Sequence, residues 1–170
     1  QAVIGKLIPI GQWIENETEL INKICSWRNA SNKMFPTQTE ATYESTLGFI
    51  KKASIANECG VLFGILDAND VFIGHIGITD VKDKQFELAH LIRGINDCDP
   101  KLVYYSEITL IDWCFKMFNS NMCVVEVMSY NWIVSMLHKD IGFEIMTYYP
   151  LKRIEHGAVT ITHQVVQPDE

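Results

Sequence analysis

Apolar positions along the chain recur with two different periods, and the change of period marks the elements. Residues 3–10, VIGKLIPI, read as an opening strand. Ile21, Ile24, Cys25 and Trp27 then recur at helical spacing, with Asn16 or Thr18 as the expected cap and an end near Arg28 and Asn29. The polar stretch ASNKMFPTQTEAT is a loop, and a second helix follows to about Ala53. A long loop between helices is a place where a substrate mouth is commonly built. VLFGILD, VFIGHIGIT and QFELAHLIRG, with turns at Ala68 to Asp70 and Val81 to Lys84, predict a meander of three antiparallel strands. Helical spacing runs from Leu102 to Phe118. MCVVEVMS is then a strand, NWIVSMLHKDIG a helix, and FEIMTYY and AVTITHQVV two closing strands. This order predicts an α+β chain, with residues 1–170 forming one domain. Its core is a single mixed, mostly antiparallel sheet of six to seven strands with helices on both faces.

Within these elements a few residues break the apolar pattern. Glu107 lies among Val103, Leu110, Ile111 and Cys114 on the apolar side of its helix, so it is expected to be ion-paired or to meet a backbone donor. His138 lies at the edge of the stripe formed by Ile133, Leu137 and Ile141. In FELAHLIRG, strict alternation puts Phe86, His90 and Ile92 on one face and Glu87, Leu91 and Arg93 on the other. Glu87 and His90 then cannot serve the same site unless a bulge intervenes. A turn centred between Lys82 and Asp83 would set His75 opposite His90. Two histidines without a third ligand do not make a metal site, and none is expected.

Composition narrows the function. With 48% hydrophobic and 21% charged residues the chain is an ordinary globular one. Its net charge of −7, with no Lys/Arg cluster, argues against nucleic acid and suits a cationic or amine substrate. No apolar run reaches the ~18 residues of a membrane span, and the N-terminal stretch lacks a basic segment followed by a long apolar one. Cys25, Cys59, Cys98, Cys114 and Cys123 are odd in number and show no CxxC spacing, so free thiols and a cytoplasmic location are expected. A chain that opens on Gln rather than Met is expected to be trimmed or cut from a longer one; a homodimer is the other expected assembly.

WRN at 27–29, FIGHIGI at 72–78, FELAHLIRG at 86–94, LIDWCF at 110–115 and NWIVSMLHKDIGF at 131–143, in this order, resemble the GNAT superfamily of acyl-CoA-dependent N-acyltransferases. The resemblance covers nearly the whole chain and is most specific from Asn131 to Phe143. It implies acetyl-CoA as donor, a small-molecule primary amine as acceptor, and direct transfer without a covalent enzyme intermediate. It also implies that strands four and five splay apart, leaving His90, Leu91, Ile92 and Arg93 beside the acyl-pantetheine arm. The pyrophosphate would rest on the amides of Lys101, Leu102, Val103 and Tyr104, at a helix start that suits an anion. RGINDCDPKL departs from the family's glycine-rich run at this point, keeping only Gly94. Asn131 would cap its helix and touch the coenzyme. His138 stands where the family usually has the tyrosine that protonates the leaving thiolate, and imidazolium can do that work. His90 and Glu87 are the rival bases. WRN and FPTQT resemble the branch acting on ribosomal proteins and amino-sugar nucleotides. The acceptor is therefore expected to be an amino sugar, with a ribosomal-type protein N-terminus or a non-catalytic acyl-CoA-binding module as alternatives.

Overall fold

A computed structural model describes residues 3–157 and 160–166. Five strands form the main sheet: β1 (Gly5–Pro9), β3 (Val61–Asp67), β4 (Phe72–Lys82), β5 (Gln85–Arg93) and β6 (Met122–Val124), in the order β1-β3-β4-β5-β6. The predicted meander is β3, β4 and β5, antiparallel throughout, whereas β6 joins β5 in parallel.

Helices cover both faces, as the chain order predicts. On one side α1 (Thr18–Ala30) and α2 (Tyr43–Ile50) bury Ile21, Ile24, Trp27 and Ile50 against Leu62 and Ile92. On the other, α3 (Leu102–Phe118) buries Leu102, Val103, Leu110 and Cys114 against Ile65, Ile73, Ile76, Ile78, Phe86 and Leu88. The last helix, α4 (Trp132–Ile141), adds Leu137 to that same layer. Each buried Ile, Leu or Phe contributes roughly 1.5–3 kcal/mol, so these two layers supply most of what holds the sheet in place.

Helix starts follow different rules at the two N-terminal helices. Thr42 caps α2 through a reciprocal pair with Ser45. Neither Asn16 nor Thr18 caps α1, which begins after Glu17 with no side-chain cap. Beyond Ile50 the helix widens into a π-type turn, Lys51–Ile55. That turn brings the Ser54 hydroxyl between Ile10 and Leu62, donating to one backbone and accepting from the other.

The single sheet of six to seven strands is not what forms. FEIMTYY makes no strand, and Ile145, Met146, Tyr148 and Tyr149 are exposed. A separate three-stranded sheet, β2-β8-β7, pairs β7 (Leu151–His156) with β8 (Thr160–Val165), and β8 with the two-residue β2 (Thr37–Gln38) of the loop between α1 and α2. The first two residues of the predicted strand AVTITHQVV lie outside the described residues. The physical reason is that a strand exists only through a partner's ladder, and β6 offers three residues before the chain leaves the sheet. Alternation alone could not reveal that shortage.

Candidate functional site

The three residues WRN each tie a different element to the end of α1. The Trp27 ring stacks on Phe72 with centroids 5.9 Å apart. It lies so close to Gly94 that a Cβ there would meet the indole at 1.9 Å, so the chain leaving β5 needs glycine at this point. Asn29 accepts from the Ala41 amide at 2.7 Å and donates to its carbonyl at 2.9 Å, holding the far end of the 31–42 loop. Arg28 donates to the buried Thr46 hydroxyl at 3.0 Å, and its guanidinium lies 4.8 Å from the centre of the Phe49 ring. The other end of the loop is tied by Tyr130, whose hydroxyl donates to the Lys33 carbonyl at 2.7 Å.

Two bulges set the register of β4 against β5. Asp83 and Lys84 both have positive φ, the geometry of a two-residue turn, and set Lys82 opposite Gln85. The extra residue at Asp80, φ 50°, shifts the pairing by one so that Thr79 faces Glu87. The extra residue at His90, φ 59°, shifts it back to the register the turn sets, in which His75 pairs with Ile92, not with His90 as a turn between Lys82 and Asp83 would require. An imidazole residue in the left-handed region costs about 1–2 kcal/mol, a strain that the surrounding sheet sustains.

The bulge also re-aims the side chains of β5. Phe86, Leu88 and Leu91 pack with α3, while Ile92 packs with α1 and α2, so Phe86 and Ile92 do not share a face as strict alternation predicts. The His90 ring stands edge-on to Phe49 of α2 at 5.2 Å, and the Phe49 ring is 6.1 Å from that of His75. Alternation from Phe86 and Leu88 puts Glu87 on this side as well. The intervening bulge thus lets His90 and Glu87 serve one site. Burial, followed by the Arg28 charge, lowers the pKa of His90, so its imidazole is neutral at pH 7. Burial pushes His75 down to about 3, and both of its ring nitrogens lack a hydrogen-bond partner among the described residues. For Glu87, burial and then the Glu126 and Asp80 carboxylates raise the pKa.

The expected splay is present between β5 and β6. Their parallel ladder joins Gln85, Phe86 and Glu87 to Met122, Cys123 and Val124 and stops there. Leu88 to Arg93 keep an edge with no neighbouring strand among the described residues, the segment containing His90, Leu91 and Ile92. Arg93 turns away, its guanidinium donating to the carbonyls of Ile95 and Asn96.

At the start of α3, two of the four expected amides are already engaged. Lys101 donates to the Asp99 carboxylate at 2.8 Å and Leu102 to the Asp99 carbonyl at 3.0 Å. Val103 and Tyr104 remain as first-turn donors, beside the exposed Lys101 side chain. An anion is thus already present at this helix start in the form of Asp99, as the dipole favours. A coenzyme pyrophosphate fits if it displaces that carboxylate from the Lys101 amide.

On α4 the buried stripe is Val134, Leu137, His138 and Ile141, with His138 the most buried and Ile133 exposed. His138 is therefore inside the α3–α4 interface and not at its edge. Its Nε2 lies 3.4 Å from the Oε1 of the fully buried Glu107, within ion-pair reach but without hydrogen-bond geometry, and Nδ1 has no partner among the described residues. The helix ends at Gly142, φ 113°, where the His138 carbonyl accepts from the amides of Gly142 and Phe143. Asn131 occupies the cap position, yet its side chain makes no cap hydrogen bond. Cys114 and Cys123, nearest this pair, are pushed up to about 12, chiefly by burial. No group of three potential metal ligands occurs among the described residues. Concavities of about 460 Å³ beside Trp13 and about 310 Å³ beside Phe118 contain none of the candidate residues.

By sequence the chain matches no family model and no curated protein. Its fold, however, is found among solved acetyltransferases. The spermidine N-acetyltransferase from Vibrio cholerae, solved with CoA and spermine, superposes with TM-score 0.68 at 13% identity over 94% of this chain and 92% of that one. AAC(6')-Iy, solved with the bisubstrate analog CoA-S-monomethyl-acetylneamine, gives 0.63 at 12% identity over 89% and 99%. A domain from Methanocaldococcus jannaschii gives 0.64 at 17% identity over 94% and 99%. The chain shares its fold with these three structures, two of which are acetyltransferases.

Proposed function

We propose that this protein is an N-acetyltransferase that passes the acetyl group of acetyl-CoA directly to a primary amine. The carrying observation is the left-handed bulge at His90: it points a neutral imidazole toward the α1–α2 side, on the strand whose far edge is left open by the splay. Fold likeness to enzymes that act on amines supports the same reading.

In this reading the unpaired backbone of Leu88 to Ile92 holds the acyl-pantetheine arm, and Val103, Tyr104 and Lys101 hold the pyrophosphate. When bound, acetyl-CoA supplies an activated thioester. Neutral His90 takes the proton from the incoming ammonium, freeing the lone pair for attack. Glu87, with Glu126 and Asp80 nearby, draws the cation in and can relay the proton through water. His138 is the proposed proton donor to the leaving thiolate: with Nε2 directed at Glu107, Nδ1 is the atom left to carry the proton. A covalent route through Cys114 or Cys123 is disfavoured, because thiols pushed up to about 12 hold no thiolate at neutral pH.

The acceptor we propose is an amino sugar carried on a nucleotide, supported by the position of Arg28 beside Phe49 and His90. Lys51 does not join it, being paired with Glu15. A peptide amine is the alternative that Glu87, Glu126 and Asp80 favour, and a non-catalytic acyl-CoA-binding module is the one that Asp99 on the Lys101 amide favours. Release of CoA thiol with amino-sugar nucleotides, polyamines and short peptides tests the reading. Acetyl-CoA binding with no release on any of them would leave only the module.

A further inference from the structure

Arg28 is a half-buried cation with no acidic partner among the described residues: its only polar contact is the Thr46 hydroxyl, and burial lowers its pKa. Guanidinium groups removed from water are ordinarily matched by a carboxylate or phosphate, since desolvating the charge is costly. Here the neighbours are the face of Phe49 and, across that ring, His90 and His75. His75 is 1% exposed and neither ring nitrogen has a side-chain partner among the described residues, so a second buried polar group stands at this place.

We infer that Arg28, held by Thr46 and Phe49, reads an anionic group on the acceptor, and that the acceptor is an amine that also carries a phosphate or carboxylate. Only the amine half rests on the acetyltransferase reading. The acidic set at Glu87, Asp80 and Glu126 and the lone cation at Arg28 then divide one acceptor between them, ammonium toward the carboxylates and anion toward the guanidinium. A fork of guanidinium donors suits both oxyanions, in a way that a lysine at this position would not reproduce.

The test is an NMR titration of the whole chain, saturated with CoA, against three small amines: 2-aminoethyl phosphate, β-alanine and ethanolamine. Wild type is expected to bind one of the two anionic amines at least about tenfold more tightly than ethanolamine, and the tighter of the two names the anion. Arg28→Met should bring all three to within about twofold, and Arg28→Lys should restore part of the preference; thermal melts establish that both variants are folded. Equal binding of the three by wild type, or a preference that survives in Arg28→Met, overturns the inference. Arg28-dependent binding without thiol release from acetyl-CoA would sink acyl transfer and leave the subsite standing. Thiol release with no anion preference would do the reverse.

Discussion

The two faces of the sheet each bury ionisable groups that lack hydrogen bonds, and they resolve the problem in opposite ways. Between α3 and α4, Glu107 and His138 face each other at 3.4 Å, so an acidic group is met by a basic one within the chain. Beside α1 and α2, Arg28 has no opposite charge among the described residues, and His75 and His90 are neutral with lowered pKa values. The pair between α3 and α4 joins two helices, and in the proposed reaction its His138 is also the proton donor to the thiolate. A face whose charges stay open, next to a strained bulge and an unpaired strand edge, is built to meet something else.

The largest expected effect is on the open face. His90→Ala should lower kcat/KM by roughly 10²- to 10⁴-fold, the range for losing a general base. Since the pKa of His90 lies below the ordinary histidine value, the acid limb of the wild-type pH profile should fall below pH 6.5 and vanish in the variant. A profile unchanged by the substitution would move the base to Glu87 or to water.

On the closed face the effect is on folding. His138→Ala leaves the fully buried Glu107 carboxyl without the imidazole that faces it and should cost about 3–5 kcal/mol in a denaturant titration. Replacing both by leucine should recover most of that loss, because two well-packed apolar side chains need no partner. If the double variant is as unstable as the single one, the pair is not the source of the cost.

A smaller effect distinguishes His75. Its folded pKa, about 3, lies below the unfolded value near 6.5, so between those values the unfolded chain takes up a proton that the folded chain refuses. Stability contributed by keeping His75 neutral is therefore present above pH 6.5 and lost as pH falls, by up to about 1.4 kcal/mol per pH unit. His75→Phe should flatten that slope; an equal slope in the variant would mean that other groups dominate acid unfolding. Smallest is Asn29→Ala, which frees Ala41 and should cost about 1 kcal/mol while raising KM for the acceptor through the loosened 31–42 loop. Loss of stability with KM unmoved would make Asn29 a brace only.

The sequence made the layers readable because helical spacing and alternation are local: Leu102–Phe118 and Val61–Asp67 have the bounds their apolar patterns mark. Glu107 was legible as a buried carboxylate for the same reason. What alternation could not carry is the bulge at His90, since an extra residue in a strand leaves no compositional trace when the residue is not glycine. The misplaced face of Ile92 descends from it, whereas the register at His75 follows from a turn at Asp83 and Lys84, one residue beyond where the alternation centres it. FEIMTYY failed as a strand because pairing is decided by a distant partner, and the buried side of α4 shifted from Ile133 to Val134 because Glu107 drew His138 inward. A signal for the Arg28 cluster exists in WRN, but a three-residue motif carries no trace of the three separate contacts that its side chains make.

The most direct measurement is transfer of isotope-labelled acetyl from acetyl-CoA, with label followed on the amine and on the protein in the same reaction. The account predicts label on the amine, none retained on the chain, and a transfer rate that is flat at pH 7 and loses its acid limb in His90→Ala. Label held on a cysteine, or no transfer to any amine while acetyl-CoA binds, would contradict it.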